Sequence, residues 1–176
     1  MRSVLPLLLL PALTVSALVG CDSSGAGGDS GADTAVAPQI TSGDVAGFDW
    51  TDMELDVHQQ VNDYRASQGL PALQLDPLIG ALSREHSDNM AAGVVGVGHA
   101  GFDARADLII DDGADMVGEN VAFNQGYNDP ATIAVEGWID SPPHHDNMVS
   151  TYFTHAGVGI AERDGAYYLT QMFARK

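Results

Sequence analysis

The chain has 176 residues, with 24 acidic against 7 basic groups and a formal net charge of −17. That length is room for one ordinary domain with a real core. A surface of this sign repels phosphate backbones and anionic lipid headgroups, so nucleic acid is not expected as a partner.

The N-terminus reads as an export signal. Met1-Arg2-Ser3 supplies the positive charge, and the apolar run Val4 to Val19 is broken by Pro6 and Pro11 and too short for a comfortable membrane span. Leu18-Val19-Gly20-Cys21 has the form of a bacterial lipobox, which makes 1–20 a lipoprotein signal peptide and Cys21 the lipidated first residue of the mature protein. Several acyl chains anchor stably where one would not. The expected location is the cell envelope, as a membrane-anchored lipoprotein, with plain secretion as the alternative. Cys21 is also the only cysteine, so the exported part is free of internal disulfides.

Residues 21–47 are rich in Gly, Ser, Asp and Ala and read as a flexible tether. Within it, Gly28-Asp29-Ser30-Gly31 looks like the nucleophile signature of a serine protease. A tether holds neither a base nor an oxyanion hole around Ser30, so that reading is discarded.

The folded domain is expected over 48–176. Thr51 and Glu54 have capping-box spacing, and Met53, Val57, Val61 and Tyr64 recur at helical intervals up to Gly69. A second helix starts at Asp76 as cap, with Pro77 in its first turn, and runs through Ile79, Leu82, His86 and Met90 to Gly93. This places His86 on the buried stripe as a hydrogen-bonded core histidine rather than a ligand. A glycine-punctuated loop delivers His99. Asp103 to Asp112 is a short helix carrying Arg105 and an apolar patch of Leu108, Ile109 and Ile110. The following Asp111-Asp112-Gly113 fails as a calcium loop, because Leu108 and Ile110 fall at ligand positions. Val117 to Asn124 reads as a strand, and it carries Glu119 inside an apolar run. A carboxylate there pairs with something or lines a cavity, since an unpaired buried charge costs several kcal/mol or more. A helix capped by Asp129 is stopped by Pro142-Pro143, and a short turn from His144 to Val149 follows. The chain closes on a hairpin, Gly157 to Glu162 and Ala166 to Phe173, with its turn at Asp164-Gly165. Trp138, Phe123, Tyr152 and Phe153 are expected in the core, and His145 and Asp146 at the surface. Helices mixed with antiparallel strands indicate an α+β domain.

Five stretches in order carry a resemblance: Val61 to Leu73, the loop Val97-Gly98-His99-Ala100-Gly101, the triplet Gly118-Glu119-Asn120, the segment Trp138 to Asn147, and Gly157-Val158-Gly159-Ile160-Ala161. Together they resemble the CAP superfamily (cysteine-rich secretory proteins, antigen 5, pathogenesis-related 1) in its bacterial, disulfide-free form, the SCP-like extracellular domain. The resemblance implies a three-layer α-β-α sandwich around a central antiparallel sheet. It also implies a cleft where two His and two Glu can hold a divalent metal. His99, Glu119 and His144 match three of the four, and Ser141 stands where the fourth is usually Glu. Zinc or another divalent cation is the implied cofactor, with those three side chains as ligands. Asn120, Ser141 and Asn147 complete the cleft, the two Asn as structural amides.

Several functions are open on these residues. A non-enzymatic, envelope-anchored binding module would take a small apolar or envelope-derived ligand in the cleft, since lipid or sterol binding is known in the family. A metal-dependent hydrolase would use zinc-activated water, with Glu119 as ligand or general base, because no Ser, Cys or Thr nucleophile stands beside a base. A structural surface spacer would use the cleft for nothing.

Overall fold

The computed structural model describes residues 37–176. The signal peptide, Cys21 and the Gly28-Asp29-Ser30-Gly31 run lie outside the described residues.

Ten elements follow one another: α1 (Ser42–Ala46), α2 (Asp52–Ser67), β1 (Gln74–Leu75), α3 (Pro77–Ala92), α4 (Phe102–Asp111), β2 (Met116–Gln125), α5 (Pro130–Asp140), α6 (Pro142–Met148), β3 (His155–Arg163) and β4 (Ala166–Arg175). Local chemistry sets their ends. At α2 the Thr51 hydroxyl accepts from the Glu54 N–H while the Glu54 carboxylate accepts from the Thr51 N–H, a complete capping box. At α3 the Asp76 side chain accepts from the N–H groups of Leu78 and Ile79, and Gly93 ends the helix at φ 72°. The β3–β4 turn puts both Asp164 (φ 54°) and Gly165 (φ 74°) in the left-handed region, as a type I′ hairpin requires.

The sheet runs β1-β3-β4-β2, antiparallel except that β1 adds a short parallel edge beside β3. Side chains alternate between its two faces. One face carries Val158, Leu169 and Phe173 into a core with Val57 and Val61 of α2, Val135 and Trp138 of α5, and Met148 of α6. The other carries Met172 and Ala174 into a second core with Ile79 and Leu82 of α3 and Ile109 of α4. The result is the expected three-layer α-β-α sandwich with a central antiparallel sheet.

The glycines of β3 explain how closely α3 lies on the sheet. A Cβ added at Gly157 would sit 2.2 Å from the Gly80 nitrogen, and one at Gly159 would sit 1.9 Å from the Arg84 nitrogen. Ser83 and Ser87 use the proximity, donating their hydroxyls to the Gly157 and Gly159 carbonyls. Packing begins upstream of Phe48, where Ile40 touches the second core and the Gln39 N–H donates to Glu85 at 2.7 Å.

Two aromatic expectations are corrected. Trp138 and Phe153 are buried, but Phe123 and Tyr152 are 41% and 59% exposed. Phe123 lies toward the hairpin end of the edge strand and packs on Tyr168, its cross-strand partner on β4, with ring centroids 5.1 Å apart. Tyr152 lies in the α6–β3 connection, with the Arg175 guanidinium over its ring.

Candidate functional site

β2 is an edge strand, paired only with β4, and its neighbouring residues Glu119 and Asn120 point to opposite faces. Glu119 stands across from Met172 and enters the α3/α4 layer. Asn120 stands across from Gln171 and enters the α5/α6 layer.

In the first layer both Glu119 oxygens are engaged. Arg105 of α4 donates from Nε (3.0 Å) and Nη2 (2.6 Å) to Oε2, and His99 Nδ1 lies 2.8 Å from Oε1. Both ionic side chains are buried, at 5% exposure for Arg105 and 1% for Glu119. Burial pushes the Glu119 carboxyl up, but the His99 hydrogen bond and the Arg105 charge outweigh it and hold the group below the ordinary carboxylate range. Arg105 also donates to the Ala100 carbonyl at 2.8 Å, so one guanidinium fixes both the carboxylate and the loop that presents His99. The other end of that loop is held by His86, whose Nε2 lies 2.7 Å from the Gly98 carbonyl. Burial, aided by the nearby Arg105 charge, lowers the His86 pKa, so the neutral ring donates its Nε2–H there. His86 is the hydrogen-bonded core histidine expected of it, with the added role of anchoring the His99 loop.

In the second layer the Asn120 amide donates to the His144 carbonyl at 3.0 Å and accepts from Asn147 at 2.9 Å. Asn147 also donates to the Glu119 carbonyl at 3.2 Å. Together with the Trp138 indole N–H on the Val121 carbonyl (3.1 Å), this covers outward-facing carbonyls of an edge strand that would otherwise be open to another chain. Gly118 makes room: a Cβ there would come within 3.0 Å of the Asn147 amide oxygen and closer still to Phe153. Ser141, where the resemblance implies Glu, is buried and bonds His144 Nδ1 at 2.8 Å.

The two imidazoles thus come from opposite layers and meet beyond the strand edge, with ring centroids 6.4 Å apart. The carboxylate can only accept, so His99 Nδ1 carries a proton and its Nε2 presents a lone pair in the neutral ring. Burial, and the charge of His99 when that ring is protonated, lower the pKa of His144 and so favour its neutral form. Neither Nε2 has a hydrogen-bond partner among the described residues. An imidazole held at Nδ1 by a carboxylate or hydroxyl, with Nε2 free, is oriented as metal-ligating histidines are. The donor set therefore fits a two-imidazole cation site completed by water. It does not fit the three-ligand set His99, Glu119, His144: Glu119 is taken up by Arg105 and His99, and the described residues hold no group of three metal-ligating side chains.

All six expected cleft residues, His99, Glu119, His144, Asn120, Ser141 and Asn147, fall into this one network. Arg105 as the partner of Glu119 was missed. The signal was present: Arg105 lies four residues before Ile109, on the helix's own buried stripe, and an arginine there demands an acid. His145 is also corrected. It is half-buried rather than exposed, with its Nε2 2.9 Å from the Tyr64 hydroxyl of α2. Asp146 is exposed as expected.

A three-layer sandwich with a histidine pair at its sheet edge defines the class. The family model described as "CAP: Cysteine-rich secretory protein family" matches residues 58–173, and the chain belongs to that family. It is 30% identical over 130 residues to the "Uncharacterized membrane protein YlbC" of Bacillus subtilis, a match covering 72% of this chain and 35% of that protein. An extracellular protein containing a SCP domain from Bacillus anthracis has a similar structure, with TM-score 0.57 and 25% identity over 70% of this chain and 40% of that one. An outer surface protein of Borrelia burgdorferi shares the fold at TM-score 0.62 and 14% identity, covering 73% of this chain and 96% of that one. The chain thus spans well under half the length of the two bacillar relatives.

Proposed function

We propose that this protein is an exported, envelope-anchored CAP module that binds without catalysis, taking a divalent cation such as zinc between His99 and His144. The observation that carries the reading is the placement of Glu119: with Arg105 on one oxygen and His99 on the other, and 1% exposed, it is buried and orients an imidazole instead of facing a substrate. A bound cation would supply a positive centre and open coordination positions at the cleft mouth. Exposed Val97, two residues from His99, and Phe123, on the same face of β2 as Glu119, support an apolar or envelope-derived ligand beside it. The relatives described as membrane, extracellular and outer surface proteins support export, and the lipobox at Cys21 supports the anchor.

Zinc titration by calorimetry on the full chain carrying Cys21→Ser tests this, with native mass spectrometry reporting any co-purified lipid. One zinc per chain is expected, lost in His99→Ala and in His144→Ala. Glu119→Gln should weaken it roughly 10–100-fold, the usual effect of removing an orienting partner, without abolishing it. A protein that takes up no zinc refutes the cation site. Abolition by Glu119→Gln in a folded protein would restore Glu119 as a ligand.

A further inference from the structure

We propose that the interior holds a water site beside Asn120, built on Gln171. It rests on the unpartnered Gln171 amide and its place opposite Asn120, and stands whether or not the histidine pair takes a cation. Gln171 is in the middle of β4, between Val158 of β3 and Asn120 of β2, and is 0% exposed. Its face is the apolar one, shared with Leu169 and Phe173 beneath α5 and α6. Neither its Oε1 nor its Nε2 reaches a hydrogen-bond partner among the described residues.

An amide in that position is destabilising unless something answers it. Each buried donor or acceptor left unpaired costs about 1–3 kcal/mol, and Met or Leu would fill the same space without that penalty. A buried water needs two to four polar partners. Gln171 offers a donor and an acceptor, and a third partner lies directly across the strand pair. Asn120 Nδ2 gives one N–H to the His144 carbonyl, and its second N–H has no acceptor among the described residues. One water accepting from Gln171 Nε2 and Asn120 Nδ2 and donating to Gln171 Oε1 satisfies all three groups. It also extends the polar chain from the sheet centre through Asn120 to the backbone of His144. The structure assigns Gln171 a use that packing does not explain.

The test is nuclear magnetic resonance on the full chain carrying Cys21→Ser, with Gln and Asn side-chain amides labelled. Water cross-peaks to the Gln171 and Asn120 amide protons, with NOE and ROE of opposite sign, are expected as the mark of a long-lived water. Gln171→Met should abolish the peak at Asn120 and lower the Tm by a few degrees, about 2–4 °C per kcal/mol lost. Absent cross-peaks together with a raised Tm in Gln171→Met would show a dry orphan amide and overturn the proposal. A direct Gln171–Asn120 hydrogen bond, seen as scalar coupling across it, would overturn it equally. Should Gln171→Met fail to fold, the cross-peaks of the parent protein decide alone.

Discussion

Replacing Arg105 by Met tests the central electrostatic reading of the site. The guanidinium gives two hydrogen bonds to Glu119 Oε2 and one to the Ala100 carbonyl, with both partners out of water. Without it the carboxylate keeps one partner, His99. Removing one member of a buried ion pair costs about 3–5 kcal/mol, most of it from the charge left buried and unpaired. At about 2–4 °C per kcal/mol for a protein of this size, the Tm at pH 7 should fall by roughly 6–20 °C. The pH dependence gives the sharper check. In the parent protein the Glu119 pKa is depressed, so its contribution is present above the unfolded value near ~4.3 and is lost as pH falls through the folded value. In Arg105→Met burial acts against only the His99 bond and raises that pKa, so acid relieves the variant over a range in which the parent still holds its contribution. The Tm gap between the two, followed by circular dichroism, should narrow steadily from pH 7 to about pH 4. Adding Glu119→Gln to Arg105→Met should recover part of the loss and flatten the pH dependence. A gap that stays constant with pH, or a single-variant cost below about 1 kcal/mol, would refute a desolvated Arg105–Glu119 pair.

Two contrasts probe the scaffold around the site. Gly159→Ala puts a Cβ 1.9 Å from the backbone of α3, which must lift as a unit, and should cost about 1–3 kcal/mol or more by urea denaturation. Gly137→Ala, in α5 with nothing within 4 Å, should instead stabilise by about 0.5–1 kcal/mol, so equal effects at the two glycines would contradict the close helix–sheet contact. Trp138→Phe keeps the ring in the core but leaves the Val121 carbonyl unpaired, with an expected loss of about 1–3 kcal/mol in chemical denaturation.

Much of this fold is written in local chemistry, which is why it can be read from the chain. The Thr51/Glu54 box, the Asp76-Pro77 start and the Asp164-Gly165 turn each satisfy backbone groups within four residues, and each element stands within a residue or two of its expected ends. What is not legible has no local signature. β1 is two residues long, too short for any periodicity, and exists because Gln74 and Leu75 meet His155 and Ala156 across the chain. Ser141 reads in the sequence only as a missing carboxylate. Its bond to His144 Nδ1, which gives the second imidazole a neutral orienter where the first has an ionic one, follows only from the return of α6 to the strand edge. Aromatic residues are ambiguous for a related reason: Phe153 and Tyr152 are adjacent, and the turn entering β3, not their type, decides which is buried.

The order Glu119-Asn120 follows from the strand itself. Adjacent residues on a strand face opposite layers, so one dipeptide serves both histidines, the carboxylate holding the His99 ring from the α4 side and the amide holding the His144 backbone from the α6 side. The exchange Glu119→Asn with Asn120→Glu keeps composition and net charge while reversing the faces. The carboxylate would then lie beside the His144 carbonyl and Gln171, with no cation near it, and Arg105 would be left buried without its anion. Two uncompensated charges at about 3–5 kcal/mol each approach the 5–15 kcal/mol that holds a typical domain folded. The exchanged protein should therefore be unfolded or insoluble at pH 7, while the single Glu119→Gln variant folds. A cooperative transition in the exchanged protein within a few degrees of the parent Tm would mean that the two layers do not impose this order.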